Sequence, residues 1–429
     1  MLRIEDTDRA RHNEAAVDAI LDGLSWLGLD WDDEPISQYQ NRERHVQIAE
    51  KLLADGQAYR CYLTTEEIEQ RRNEARESGE RFVSPWREDA ATPPPNLPFS
   101  IRFRAPDTGE TIIKDAVQGE VKIPNTALDD LIIVRGDGTT PTYNLAVVVD
   151  DHDMGVTHIV RGDDHLVNAA RQAQIYQALG WPVPIFAHVP LIHGQDGSKL
   201  SKRHGALGVE AYRDDGYLSE ALSNYLIRLG WAHGDEEIIP RDRALEIFDL
   251  SGINKSPSRL DFDKLNHINS TYMAALSNDD FAKLALPFLG NDVAETTPDF
   301  QDRFERSVPF LKERVITLKD IGDAAKFLTI KRPLEITGKA AKPLKKDGVI
   351  ERLQTIYQLL SETEDWSNAE ALDNVLIGYA EAENVGFGQI GPPVRAVLTA
   401  GHPAPSLGQV LFSLGKAESL ARIEDQTAK

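Results

Sequence analysis

Three short stretches of this chain hold side chains whose types and spacing could do chemistry. The first is Gly197-Ser198-Lys199-Leu200-Ser201-Lys202-Arg203-His204-Gly205. It sets four cationic-capable groups in a short loop with small, flexible neighbours, just after an apolar run that ends at Ile192. Lysines there can neutralise a polyphosphate, and Ser201 can donate a hydrogen bond to one of its oxygens. Taken alone the segment is weak, because Ser/Lys/Arg runs at surfaces are more often solvated loops. The second stretch is Arg161-Gly162-Asp163-Asp164-His165, at a strand end that opens a helix. Ligands of open α/β sheets sit at the carboxyl ends of strands, and an arginine there can grip a carboxylate with two parallel hydrogen bonds. A plain helix start, with Asp163 and Asp164 complementing the dipole, accounts for the segment equally well. The third stretch is Arg3-Ile4-Glu5-Asp6-Thr7-Asp8-Arg9. Glu5 at a strand end could hold an ammonium group, whereas Asp6 and Asp8 are simpler to explain as helix caps. Asp150, Asp151, His152 and Asp153 could ligate a metal, but an acidic helix-capping turn is the better reading.

Other chemistries lack their residues. There is no phosphate-binding P-loop and no GxGxxG after a strand. No serine or cysteine pairs recognisably with a histidine as a nucleophile. A single cysteine, Cys61, excludes an intramolecular disulfide and a cysteine-rich metal knuckle. No run approaches the roughly 18 apolar residues that span a bilayer. The N-terminus is charged at once, without the apolar core of a secretory signal. The cytoplasm is the expected location. The 69 Asp and Glu outnumber the 47 Lys and Arg, for a formal charge of −22. Phosphate contact depends on local positive charge, and exposed charges more than about 10 Å apart are screened at moderate salt. The acidic total therefore neither establishes nor excludes nucleic-acid binding.

The elements that must position these groups follow from periodicity. Leu2–Glu5 reads as a strand end, and Asp6, Thr7 and Asp8 as offering N-cap oxygens to a helix with apolar positions Ala16, Ile20, Leu24 and Leu27. A second helix (Val46, Ala49, Leu53) leads through Gly56 to an extended piece, Ala58–Leu63. Thr64 and Glu67 make a capping-box pattern, and Pro93–Pro95 a linker. Short strands are expected at Ile101–Arg104, Thr111–Ile113, Val121–Ile123 and Leu131–Val134, forming a small β-rich insertion. Tyr143–Val149 reads as a buried strand, His165–Leu179 as a helix and Phe186–Ile192 as a strand. Together these suggest a parallel crossover in a doubly wound domain. Beyond about Pro257 the chain reads as almost wholly helical.

In order along the chain, these pieces resemble the class I aminoacyl-tRNA synthetases, and among them the bacterial-type glutamyl enzyme. The resemblance rests on LRIEDTD at 2–8, PTYNLAVVVDDHDM at 141–154, THIVRGDDHL at 157–166 and AHVPLIHGQDGSKLSKRHGA at 187–206. It continues through NYLIRLGW at 224–231 and INKSPSRLDFDKL at 253–265. KLSKR at 199–203 is similar to the family's KMSKS signature. The resemblance implies that Glu5 contacts the substrate α-amino group, Tyr143 lies along the amino-acid pocket and Arg161 binds the glutamate side-chain carboxylate. It implies that Lys202 and Lys199, with Ser201, serve ATP, which comes with Mg²⁺. The implied partners are L-glutamate and glutamate tRNA, with glutamine tRNA left open as a second acceptor, and a monomer is expected.

Three departures accompany the resemblance. The family's catalytic sheet opens with a strand and a His-Ile-Gly-His-type motif upstream of RIEDTD. Met1 directly precedes Leu2-Arg3, so the expectation is an N-terminally truncated chain whose activity is lost or impaired. A non-catalytic tRNA-binding relic is the alternative. Val147 stands where some members use Asn in the amino-acid pocket. Leu63 follows Tyr62 where a Cys-x-Cys would be needed, so no zinc is expected. The expected architecture is an incomplete Rossmann-like catalytic domain (1–44 and 138–190) with a β-rich acceptor-end insertion (45–137). A stem-contact region with the KMSKS-like loop (191–275) and an all-α anticodon-binding region (276–429) follow. The last holds Lys339, Lys342, Lys345 and Lys346 without an intervening acid. Lys345 and Lys346 are candidates for tRNA contact, or equally for a solvated loop. Glutaminyl-tRNA synthetase, the nearest rival, has a C-terminal part of β-barrel character.

Overall fold

A two-residue strand, β1 (Arg3–Ile4), opens the fold by pairing in parallel with β2 (Ile36–Ser37). The computed structural model describes residues 1–8, 13–79, 81–88, 97–200, 208–290 and 299–428. Between the two strands runs α1 (Glu14–Trp26), and its cap differs from the expectation. Asn13 is the N-cap, its side chain accepting from the Ala15 N–H at 3.1 Å. Asp6 instead ties β1 to β2, accepting from Ser37 Oγ and from the Tyr39 N–H at 2.9 Å. The linker prolines Pro93–Pro95 lie outside the described residues.

The chain divides into two compact units, Met1–Ala206 with Leu226–Leu260, and Leu207–Tyr225 with Asp261–Lys429. In the first, α2 (Arg42–Ala54) leads into β3 (Ala58–Cys61), and α3 (Thr65–Ser78) starts at the expected Thr64–Glu67 capping box. The four short strands form as β4 (Ser100–Phe103), β5 (Glu110–Asp115), β6 (Gly119–Pro124) and β7 (Ile132–Val134). They divide between two sheets. One has the order β3-β4-β7; the other is β6-β5-β9-β8, built with β8 (His158–Gly162) and β9 (Ile185–Val189). The expected parallel crossover is present, but β8 is its first strand, followed by α5 (Leu166–Leu179) and β9.

Tyr143–Val149, expected as a strand, forms the first two turns of a helix, α4 (Tyr143–Asp153). Leu145 to Asp151 are buried without a break, so no polar face marks a helical period. A short apolar run of this kind cannot be told from a buried strand by pattern. Helix α4 packs with α2 and α5 around Leu52, Ile133, Leu145, Val149 and Ile175, all fully buried. The acidic group at 150–153 is the last turn of this helix rather than a capping turn. Asp150 accepts from Gln38 at 3.0 Å and meets His45 Nε2 at 2.7 Å, Asp151 pairs with Arg3, and Asp153 with Arg44. The three carboxylates are committed to separate partners and His152 Nδ1 meets only Asp153, at 3.0 Å, so the four side chains do not converge on one point. Burial pushes the Asp150 carboxyl upward, but hydrogen bonds from His45, Gln38 and Asn41 outweigh it and hold it below its ordinary range.

Every named element after Pro257 among the described residues is helical, as expected. In the second unit Arg422 lies fully buried in the helix Lys416–Thr427. Its Nε donates to Glu418 at 2.7 Å and its Nη1 to the carbonyls of Phe327 and Leu398. Glu418 also accepts from Arg303 at 3.2 Å.

Two predictions follow from these networks. Glu418→Ala leaves the Arg422 guanidinium buried without its carboxylate, which is expected to destabilise this unit by about 3–5 kcal/mol. Hydrogen exchange over the helices Val349–Glu362 and Lys416–Thr427 should accelerate accordingly; unchanged protection would contradict the account. The depressed Asp150 pKa contributes stability that is complete above the unfolded value of about 3.9 and is lost as pH falls through the folded one. Asp150→Asn should lower the melting temperature at neutral pH and flatten its decline in acid, as a pH series of melting curves would reveal.

Candidate active site

The carboxyl end of β8 and one face of α4 enclose a cavity of about 570 Å³. Tyr143, Val147 and Asp151 line it at successive four-residue steps, the spacing that puts side chains on one helical face. Glu5 and Arg3 arrive from the end of β1, and Arg161, Asp164 and His165 from the end of β8. Glu5, Tyr143 and Arg161, singled out in three separate sequence segments, are thus brought to a single cavity. Val147 supplies an apolar patch to the wall.

Arg3 and Asp151 form the floor. Arg3 Nη1 meets Asp151 at 2.7 Å, with the two side chains 15% and 4% exposed, and Nη2 donates to Glu5 at 3.3 Å. Burial raises the Asp151 pKa. Arg3 opposes that shift without cancelling it, and the neighbouring Glu5 and Asp150 charges add to it. Asp150 and Asp151, adjacent in sequence, are therefore displaced in opposite directions by their partners.

Arg161 forms the far wall. Its Nη1 donates to Tyr143 Oη at 3.5 Å and its Nη2 to the His165 carbonyl at 3.4 Å, both long contacts. The guanidinium carbon lies 5.4 Å from the centre of the Phe186 ring, within cation–π range. Its Nε donates to His188 Nε2 at 3.2 Å. Among the described residues no carboxylate pairs with Arg161, neither Asp163 nor Asp164 included. Asp164 pairs instead with Lys199 Nζ at 3.1 Å. That hydrogen bond, more than the accompanying charge attraction, lowers the Asp164 pKa. The pair is exposed and worth little in stability, but it draws Lys199 to the rim of the cavity. Ser201 and Lys202 lie outside the described residues.

Two residues behind Arg161 escaped the sequence reading. His188, on β9, is fully buried and makes a 2.6 Å contact from Nδ1 to Asp115, the last residue of β5. A histidine inside the apolar run Phe186–Val189 was the available signal. Asp115, 70-odd positions upstream by sequence, had none. In the second unit Lys339, Lys342, Lys345 and Lys346 are all exposed, Lys345 ending a short 3-10 helix (Pro343–Lys345). Cys61 is buried against Ser84 Oγ at 3.3 Å.

Comparison with known proteins gives the family. Residues 1–267 match the family described as tRNA synthetases class I (E and Q), catalytic domain, and residues 280–427 match an anticodon binding domain. The glutamate–tRNA ligase 2 of Maricaulis maris is 56% identical over 433 residues, covering 99% of this chain and 89% of the relative. That of Brucella ovis is 52% identical over 437 residues, covering 99% and 91%. A crystal structure of a glutamate tRNA ligase from Elizabethkingia meningosepticum, in complex with its amino acid, matches with a TM-score of 0.87 at 28% identity. It covers 100% of this chain and 92% of its own. The corresponding enzyme of Elizabethkingia anophelis gives 0.83 at the same identity and coverage. With its catalytic and anticodon-binding parts both matched and relatives above half identity along nearly its whole length, this chain belongs to the glutamate–tRNA ligases of the class I aminoacyl-tRNA synthetases.

Proposed function

We propose that this chain activates L-glutamate with ATP and transfers it to the 3′ end of glutamate tRNA, with the cavity at the end of β8 as its amino-acid site. The observation that carries the assignment is Arg161, a guanidinium at a strand end that lines the cavity and, among the described residues, pairs with no carboxylate. A γ-carboxylate completes it through a two-pronged contact. Glu5, across the cavity and exposed, takes the α-ammonium group, and Tyr143 borders the aliphatic stem. The substrate α-carboxylate then attacks the α-phosphorus of ATP. A C(O)O–P bond forms, the bond to the β-phosphate oxygen breaks, and pyrophosphate leaves. In the second step a hydroxyl of the tRNA's terminal ribose attacks the activated carbonyl, and AMP leaves. Lys199, at the cavity rim, and Lys202 and Ser201 beside it in sequence serve the polyphosphate, stabilising the charge that builds on pyrophosphate. Among the described residues no group of three or more His, Cys, Asp or Glu side chains is placed to hold a metal ion. Mg²⁺ would accordingly come with the nucleotide, whose phosphates supply much of its coordination.

Residues 276–429 carry the tRNA-binding role, in keeping with the anticodon-binding match, and Lys345 and Lys346 contribute phosphate contacts. The expected site of action is the cytoplasm, where tRNA is charged. Among the described residues no helix is long and apolar enough to cross a membrane.

Glutamate-dependent exchange of pyrophosphate into ATP tests the activation step. Retained tRNA binding with no exchange would favour the binding-only alternative. Arg161→Ala should weaken glutamate affinity by about a hundred- to several thousand-fold, the equivalent of about 3–5 kcal/mol for a broken buried charge pair. The melting temperature should fall only modestly, because no protein carboxylate is orphaned and only the buried His188 Nε2 acceptor loses its donor. Calorimetric titration beside a thermal melt separates these effects, and preserved glutamate affinity would overturn the assignment. For the RNA role, affinity for glutamate tRNA should fall steeply with salt. Replacing Lys345 and Lys346 by alanine should make the slope of log affinity against log salt shallower by about 0.9 per lost phosphate contact. Filter binding across a salt series reads this, and an unchanged slope would return both lysines to bare solvent.

A further inference from the structure

We infer that His188 and Asp115 act as a positioning relay that fixes the direction of the Arg161 guanidinium toward its substrate carboxylate, an inference that rests on the reading of Arg161 just given. Strand pairing brings the three residues together. β8 and β9 run parallel with Arg161 opposite His188, and β5 joins β9 at Asp115 opposite Phe186. The His188 and Asp115 side chains are both fully shielded from solvent. His188 Nδ1 faces Asp115 Oδ2 at 2.6 Å, while Nε2 accepts from Arg161 Nε at 3.2 Å. An arginine Nε–H can only donate. One arrangement of the ring satisfies both contacts: a neutral imidazole with its proton on Nδ1.

Asp115 is in turn held as an anion. It accepts from the backbone N–H groups of Val117 at 2.9 Å, Gln118 at 2.8 Å and His188 at 3.1 Å. Burial pushes its pKa up, but these bonds and the His188 ring outweigh burial and bring it below the ordinary value. The carboxylate therefore keeps a fixed acceptor on Nδ1, the ring keeps a fixed acceptor on Nε2, and Arg161 is held by its Nε. Its two terminal nitrogens have only the long contacts to Tyr143 and to the His165 carbonyl. The substrate carboxylate is consequently met end-on, by Nη1 and Nη2, rather than side-on through Nε. Orientation of one catalytic-site group by a buried carboxylate acting through a histidine tautomer follows the same logic as in a serine protease triad.

Asp115→Asn tests the relay. With its oxygen kept by the three backbone donors, the new amide presents N–H to His188 Nδ1. The ring proton then moves to Nε2, and Nε2–H faces Arg161 Nε–H, donor against donor. Glutamate affinity, titrated calorimetrically with the full chain, should weaken by about ten- to a hundredfold, the scale of a lost charge-assisted hydrogen bond. The His188 ring, read by ¹⁵N NMR, should carry its proton on Nδ1 in the parent chain and on Nε2 in the variant. A parent ring protonated on Nε2, or a folded Asp115→Asn with parental glutamate affinity, would overturn the relay. Should Asp115→Asn fail to fold, His188→Leu and His188→Gln carry the test. Glutamine keeps a donor and an acceptor and should recover most of the affinity that leucine loses; equal affinity in the two variants would count against the relay. Arg161→Ala keeps the two failures apart. If that change leaves glutamate affinity intact, the substrate reading itself is at fault. If it weakens binding while Asp115→Asn does not, only the relay falls.

Discussion

Parallel pairing of β8 with β9 puts Arg161 beside His188, and a slip of a single residue would turn Arg161 to the opposite face of the sheet. The crossover through α5 holds that register, because Ala169, Ala170 and Ala173 pack with Phe186 and Ile113 in a fully buried cluster. Small alanines let the helix approach the sheet closely, and larger side chains would have to lift it away. The hairpin of β5 and β6 extends the same sheet from the other side, ending β5 at Asp115. Neither a helix packing on the strands nor a strand alone would suffice; the direction of Arg161 depends on both neighbours of β9.

Much of the cavity was legible in the sequence because its residues are polar groups at the ends of elements, where composition changes abruptly. Glu5 follows the short strand Arg3–Ile4, and Arg161 precedes a helix start rich in acids. What could not be read was partnership across distance. Asp6 has the chemistry of a helix cap, yet tertiary contacts with Ser37 and Tyr39 claim it. Asp150 to Asp153 look like a coherent acidic turn, but their partners lie on two other segments, β1 at Arg3 and α2 at Arg44 and His45. Helix α4 was misread for a related reason: buried on all sides, it lost the polar stripe that betrays helical period. Asp115 and His188 form a pair only once the sheet exists, and no local pattern announces it.

Some of the chain's carboxylates are internal and are likewise claimed by tertiary partners. Asp115, Asp130, Asp150 and Asp151 are tied to arginines, histidines or backbone N–H groups inside the fold. Such carboxylates are structural and count little toward the field that an approaching polyanion meets. Pairing with arginine removes one charge of each sign and leaves the net charge at −22, so the field a polyanion meets depends on where the unpaired charges lie.

Helix α4 has one further consequence. Successive helical residues point about 100° apart, so Asp150 and Asp151 necessarily diverge. Asp150 reaches inward to His45 and Gln38, while Asp151 reaches Arg3 at the cavity floor. The two anchors together act as a rotational lock, leaving the helix one angular setting and one set of residues to show the cavity. Within that setting Tyr143 and Asp151 are committed to polar partners at the two ends, and Val147 between them is committed to none. Position 147 is thus the adjustable panel of the wall. A polar side chain there could re-tune how the cavity holds an amino acid while the lock, the sheet and Arg161 stay as they are.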